Sequence, residues 1–147
     1  MHIAIVGAGL VGAGWTIVFA RAGKTVKLYD ASVEIRASVL DDIRGRLHDL
    51  KNFELVSDVD AILGRIEVCN TLAAVVDGAA YVQESVPERL ELKKEISIQL
   101  SELLGEGTIV GSSTSGIPAS AFTEALPNRE KFVVAHPVNP PYLVPVV

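Results

Sequence analysis

The sequence predicts a doubly wound α/β domain, a mostly parallel sheet with helices on both faces. Three observations carry this. Short continuous apolar runs, the mark of strands buried on both sides, alternate with longer segments of helical period. The first run closes on a glycine-rich turn, Gly7-Ala8-Gly9-Leu10-Val11-Gly12. Finally, the 147 residues are 49% hydrophobic and 21% charged, which suits one domain with a real core and excludes a disordered chain.

The elements follow in order. His2–Val6 is an apolar run stopped by Gly7, a buried strand. Leu10 to Ala22 sets Val11, Trp15, Val18, Phe19 and Ala22 at helical spacing, and Gly23 ends it. Thr25–Tyr29 is a second strand, terminated by Asp30. Val33 to Leu50 puts Val39, Ile43, Leu47 and Leu50 on one helical face. Ser57-Asp58 opens a short helix ending near Gly64, Arg65–Cys69 is a strand, and Thr71–Val76 a brief helix. Ala80–Gln83 is the next buried strand. Ser85 to Leu104 reads as a helix with Leu92, Ile96, Leu100 and Leu103 inward. Thr108–Gly111 and Lys131–Ala135 are two more strands, separated by a Ser/Thr/Gly loop and a helical turn between Pro118 and Leu126. Strands separated by helices imply parallel pairing and right-handed crossovers.

Composition excludes several classes of function. The net charge is −5 and no Lys/Arg cluster occurs, which argues against nucleic acid or anionic membrane as partner. No apolar run approaches the roughly 20 residues of a membrane span. Met1-His2-Ile3-Ala4-Ile5 lacks a basic region and runs into the glycine turn, so it reads as a strand and not a targeting peptide. A single cysteine, Cys69, excludes an internal disulfide and fits a reducing, cytoplasmic compartment; its surroundings suggest a small buried hydrophobe. His2 and His48 have no metal-ligand spacing, so no metal site is expected. Asp41, Asp42, Arg44 and Arg46 read as a solvated helix face. The mean hydropathy of +0.36 is high, expected of a chain that is mostly buried sheet or has a surface awaiting a partner.

The glycine turn stands in full context, between a strand and a helix. Gly7 allows the tight turn, Gly9 lets backbone approach a pyrophosphate, and Gly12 lets helix and strand pack closely. The unpaired N–H groups of the helix start, from Leu10 and Val11 onward, with the helix dipole, then hold phosphate. Asp30, closing the second strand, is placed to accept hydrogen bonds from both adenosine ribose hydroxyls and to repel a 2′-phosphate, and no arginine follows immediately. The motif therefore predicts a Rossmann domain that binds NAD. Ala13, Gly14 and Trp15 read as packing residues.

Three polar clusters fall where the strands present their carboxyl ends. Ser85-Val86-Pro87-Glu88, with Lys93 beyond, has the form of a helix capping box. Ser112-Ser113-Thr114-Ser115-Gly116 has the form of a hydroxyl-rich turn, and His136-Pro137-Val138-Asn139 follows the last strand. Each has a purely structural reading, yet all converge on one edge beside the expected cofactor.

The segments GAGLVGAGW, VQESVPERLELK, SSTS and AHPVNPPYLVPVV resemble the N-terminal domain of the 3-hydroxyacyl-CoA dehydrogenase superfamily, and most closely its lambda-crystallin/L-gulonate 3-dehydrogenase branch. The similarity covers essentially the whole chain, and the intervals linking Gly7, Asp30, Glu88, Lys93, Ser115, His136 and Asn139 agree with the family pattern. The resemblance implies that Glu88 and Lys93 line the cofactor. It places Ser115 and Asn139 near the nicotinamide and the reacting carbon, and makes His136 the catalytic base. Imidazole, with an ordinary pKa of about 6.5, suits that exchange of a proton with a secondary alcohol. Ser115 would hold the substrate oxygen.

The resemblance also implies an NAD-dependent dehydrogenase, a homodimer when complete, with a helical C-terminal domain that residues 1–147 do not include. The family's glutamate partner of the histidine would stand one position beyond Val147. On that basis the 147 residues are expected to bind NAD without oxidising a hydroxy acid alone. Where the acyl-CoA branch reads Ser-Asn-Thr-Ser and Phe-Phe-Asn-Pro, this chain has Ser-Ser-Thr-Ser and Pro-Val-Asn-Pro. That favours a free 3-hydroxy acid over a CoA thioester. A 3-hydroxyacyl-CoA dehydrogenase of fatty acid metabolism and a non-catalytic, crystallin-like NAD-binding protein are the alternatives.

Overall fold

The computed structural model describes residues 1–147. The chain runs β1 (His2–Val6), α1 (Leu10–Arg21), β2 (Val26–Tyr29), α2 (Val33–Asn52), α3 (Val59–Leu63), β3 (Ile66–Val68), α4 (Leu72–Val76) and β4 (Ala79–Glu84). It continues through α5 (Leu90–Leu103), β5 (Ile109–Ser112), α6 (Ala119–Thr123), a 3-10 turn at Arg129–Lys131 and β6 (Phe132–Val134). The strands form one six-stranded sheet in the order β3-β2-β1-β4-β5-β6, and every adjacent pair is parallel. The chain order reverses direction between β1 and β4, and in such sheets ligands bind beyond the carboxyl ends of those strands.

Register explains why the polar clusters meet. Val6 lies opposite Tyr29 on one side and Glu84 on the other. Glu84 lies opposite Ser112, and Ser112 opposite Val134. The residues that follow each strand, Asp30, Gly7, Ser85, Ser113 and Ala135, therefore leave the sheet along one edge.

Side-chain alternation on β1 divides the interior into two cores. Ile5 joins Ala13, Ile17, Leu28, Val39, Ile43 and Leu47 under α1 and α2. Ala4 and Val6 point the other way, to Val75, Val82, Ile96, Leu100, Val110 and Phe132 under α4 and α5. The α2 stripe Val39, Ile43, Leu47 and Leu50 is buried as the periodicity required. Ser32, Asp58 and Thr71 cap α2, α3 and α4 through side-chain oxygens, which fixes three helix starts in sequence. Cys69 is buried, and burial pushes its thiol pKa up. No helix is long and apolar enough to cross a membrane. Val133, Val134, Leu143, Val146 and Val147 are exposed, so part of the high hydropathy lies on the surface.

Four expectations are corrected. The helix expected from Ser85 starts at Leu90, with Arg89 before it and no side-chain cap. Ser85 N–H still follows the sheet, bonding Val6 O at 2.7 Å, and Val86, disfavoured from helical geometry by Pro87, gives its N–H to Glu84 Oε1 at 2.7 Å. The capping box therefore does not form. The buried face of α5 is Lys93, Ile96, Ser97 and Leu100, while Leu103 is exposed, because a buried ion pair takes the position that an apolar stripe would fill. In α1 the fully buried residues are Ala13, Thr16, Ile17 and Ala20; Val11, Val18, Phe19 and Ala22 are only partly covered or exposed. That helix is apolar on nearly every side, so its spacing alone does not choose a face. Arg46, read as solvated, folds down to Leu10 O at 3.3 Å and pairs with Asp42 at 2.7 Å.

Candidate cofactor and active site

The glycine turn is shaped by contact on two sides and left open on the third. Gly7 has φ +94°, and a Cβ there would lie 2.6 Å from the backbone of Ser85. A Cβ on Gly12 would lie 1.8 Å from Gly7 O, so both positions exclude any side chain. A Cβ on Gly9 would meet nothing within 4 Å. Gly9 also caps α1 without any side-chain hydrogen bond. An uncapped N-terminus of a 12-residue helix facing open space has the donors and the room that a pyrophosphate needs. The residues present thus fit the dinucleotide.

Asp30 holds the neighbouring geometry. Its Oδ2 accepts Ala8 N–H at 2.7 Å and its Oδ1 accepts Ser32 N–H at 2.9 Å, tying the end of β2 to the glycine turn. Four lone-pair directions on a carboxylate leave capacity for further donors. Arg36, six residues on, donates to the carbonyls of Asp30 (2.6 Å) and Ala31 (3.2 Å) and lies 5.7 Å from the Tyr29 ring centroid. Sequence reading found no arginine immediately after Asp30; the first turn of α2 brings one there.

Two hollows meet at Asp30. One, of about 400 Å³, is walled by Gly9, Leu10, Val11, Asp30, Ser85, Glu88, Ser113 and Ser115 among others. The second, of about 280 Å³, is walled by Gly7, Tyr29, Asp30, Pro87, Glu95 and Gln99 among others. Most of the expected cofactor residues therefore converge. Ala8 and Gly12 shape the turn without facing either hollow.

Glu88 stands at the far wall as a loop anchor. One oxygen accepts Thr114 Oγ1 at 2.6 Å, Ser115 N–H at 3.0 Å and Gly116 N–H at 3.2 Å. Burial raises its pKa, but the bonds from Thr114, Gly116 and Ser115 and the charge of Lys93 outweigh that, and the net shift is downward. Lys93, expected to line the cofactor, is instead 1% exposed and faces neither hollow. It bonds both oxygens of Glu84, at 3.0 and 3.1 Å, and reaches Glu88 at 3.6 Å. Glu84, also buried, further accepts Val86 N–H and the Ser112 hydroxyl.

His136 is exposed and stands outside both hollows, but its Nδ1 lies 3.2 Å from Ser113 O, on the wall of the larger. A carbonyl only accepts, so in the neutral ring this contact calls for the proton on Nδ1 and leaves the lone pair on Nε2. Ser115 is on the same wall, whereas Asn139 is exposed on the loop beyond His136 and joins neither hollow. The tail then packs back on α1: a Cβ on Gly14 would lie 2.8 Å from Pro141, and Arg21 donates to Tyr142 O at 2.8 Å. Trp15, read as packing alone, donates Nε1–H to Ser113 Oγ at 3.2 Å. Sequence reasoning passed over Gln83, Glu84, Ser113 and Trp15 as site residues. The available signal was two adjacent polar residues, Gln83-Glu84, closing an otherwise apolar strand.

A Rossmann sheet, a glycine turn with open helix donors and an acid after β2 define an NAD-binding domain. Comparison with known proteins agrees. Residues 2–147 match the model of the 3-hydroxyacyl-CoA dehydrogenase NAD binding domain. The lambda-crystallin homolog of Mus musculus is 39% identical over 99% of this chain and 46% of its own length. The L-carnitine dehydrogenase of Streptomyces coelicolor is 34% identical over 99% of this chain and 45% of its own. The solved 3-hydroxybutyryl-CoA dehydrogenase of Escherichia coli K12 superposes with a TM-score of 0.88 at 31% identity, covering 95% of this chain and 30% of that one. The chain belongs to the 3-hydroxyacyl-CoA dehydrogenase family, whose members are NAD-dependent oxidoreductases acting on CH–OH groups of small molecules. It spans about half the length of the curated relatives it matches.

Proposed function

We propose that this chain is the cofactor-binding half of a dehydrogenase that oxidises the 3-hydroxyl of a free 3-hydroxy acid, of the L-gulonate type. The observation that carries the proposal is the His136 imidazole, held through Nδ1 beside the hollow that begins at the glycine turn. In that reading Nε2 takes the hydroxyl proton as the carbinol hydrogen leaves with its electron pair, so alcohol becomes ketone and the proton ends on the imidazole. NAD, when bound, supplies the hydride acceptor. Ser115 hydrogen-bonds the reacting oxygen; Asn139, exposed beyond His136 and outside both hollows, is given its place near the nicotinamide by the family resemblance alone. Gly7 to Gly12, Asp30 and Glu88 form the cofactor bed, with Lys93 beneath it. The likeness to a 3-hydroxybutyryl-CoA dehydrogenase supports a second reading, in which the substrate is a 3-hydroxyacyl-CoA.

The test is turnover of L-gulonate and of 3-hydroxybutyryl-CoA, side by side, by an active polypeptide that carries this domain. Faster NADH formation with L-gulonate is the expected result. Preference for the thioester establishes the second reading, and no turnover of either overturns the assignment of an enzyme of this kind.

Asp30 should set the choice of cofactor. Its carboxylate accepts from a ribose diol and repels a 2′-phosphate, so NAD should bind at least tenfold more tightly than NADP, a difference of about 1.4 kcal/mol. Asp30→Ala removes the repulsion and leaves Arg36 nearby, so the gap should narrow mainly through stronger NADP binding. Calorimetry on the two proteins checks this; equal affinities in the unaltered chain would refute it.

A further inference from the structure

Gln83 is fully buried at the end of β4 and belongs to neither hollow. Its Oε1 accepts from Tyr81 Oη at 2.5 Å, and its Nε2 donates to Ser113 Oγ at 2.8 Å and Ala135 O at 3.2 Å. The amide has one orientation, because the Ala135 carbonyl can only accept. Ser113 Oγ receives a second N–H from Trp15. Neither of its two donors can accept, so the Ser113 proton goes to Ser85 Oγ at 2.8 Å. The Ser113 hydroxyl is thereby saturated and anchored from α1, β4 and the loop after β4. Its backbone N–H is fixed as well, to Glu84 O at 2.8 Å. The carbonyl of this same residue receives His136 Nδ1.

We infer that Gln83 is a positioning residue for His136, acting through Ser113 and Ala135. One amide fastens both supports of the imidazole: the residue whose carbonyl accepts its proton, and the residue that precedes it in the chain. With both held, the proton stays on Nδ1 and the Nε2 lone pair faces outward, the form a base requires. Burial pushes Tyr81 up to about 12, so its hydroxyl remains a donor to Gln83 throughout the working range. The inference rests on the reading of His136 as acid/base, yet the arrangement can be measured without turnover.

The experiment is ¹⁵N–¹H spectroscopy of the neutral imidazoles in this chain, whose three histidines are few enough to assign. His136 should carry its proton on Nδ1. Gln83→Met, similar in length and without hydrogen-bonding capacity, should shift it toward a mixture with the Nε2–H form. Ser113→Ala, a smaller change that cuts one of the two links, should do the same and keeps the test alive if Gln83→Met does not fold; a cooperative thermal transition verifies the fold of each. In an active polypeptide Gln83→Met should lower kcat about tenfold with KM for NAD unchanged, comparable to the loss of a histidine's supporting partner at a metal site. An Nε2–H form in the unaltered protein, or an unchanged tautomer in folded variants, overturns the inference. A tautomer that responds, together with a His136→Gln protein that keeps its turnover, upholds the positioning and overturns the acid/base reading.

Discussion

His136→Gln should lower kcat by about 10²–10⁴-fold in an active polypeptide that carries this domain, the range general acid–base catalysis contributes. NAD affinity should hardly change, because His136 lies outside both hollows and its side-chain hydrogen bond is to Ser113 O. Glutamine keeps a donor for that carbonyl but cannot exchange a proton near neutral pH. Steady-state rates together with calorimetric NAD binding separate the outcomes. Unchanged turnover would return His136 to a structural role, and a parallel loss of NAD affinity would place it in the cofactor bed instead.

Lys93→Met should be the most destabilising single substitution at the site. It leaves Glu84, which is 1% exposed, without its counter-charge. Breaking a buried pair by removing one partner costs about 3–5 kcal/mol, and in a domain of this size each kcal/mol moves Tm by roughly 2–4 °C. A fall in Tm of the order of 10 °C is therefore expected by calorimetry. The double variant Lys93→Met/Glu84→Gln should recover much of the loss, since neutral groups at both positions carry no unpaired charge. A single variant as stable as the unaltered protein would show that Ser112 and Val86 suffice for Glu84, and that the pair has no part in holding the strand ends together.

The fold was legible because its signals are local. A strand that stops on Gly7, caps at Ser32, Asp58 and Thr71, and the α2 stripe each sit within a few residues of what they determine. The parts that escaped depend on contacts across the sequence. The segment before α5 looked like a helix start because Ser85, Pro87 and Glu88 satisfy a local pattern, while the bonds that decide its shape come from Val6 and from residues 114–116. Lys93 was expected to line the cofactor, and only the folded structure brings it from α5 against Glu84 at the end of β4, the acid it pairs with. Gly7, Gly9, Gly12 and Asp30 could be read as a candidate site because the turn and the acid tied to it lie on successive elements near the start of the chain. The support of His136 could not: Trp15, Gln83 and Ser113 are drawn from three separate segments, and no spacing rule links them.

β1 has no side open to solvent, since Ile5 belongs to one core and Ala4 and Val6 to the other. The strand is thus a wall common to both halves of the molecule. Peeling α1 and α2 away strips one face of β1, and losing α4 and α5 strips the other, so either departure exposes the strand that both halves need. Neither half keeps a complete core by itself, so the domain is expected to unfold as one cooperative body, which coincident transitions by two spectroscopic probes would check. The glycine turn grows directly from the end of that strand, so the proposed phosphate cradle is rooted in the wall common to both cores.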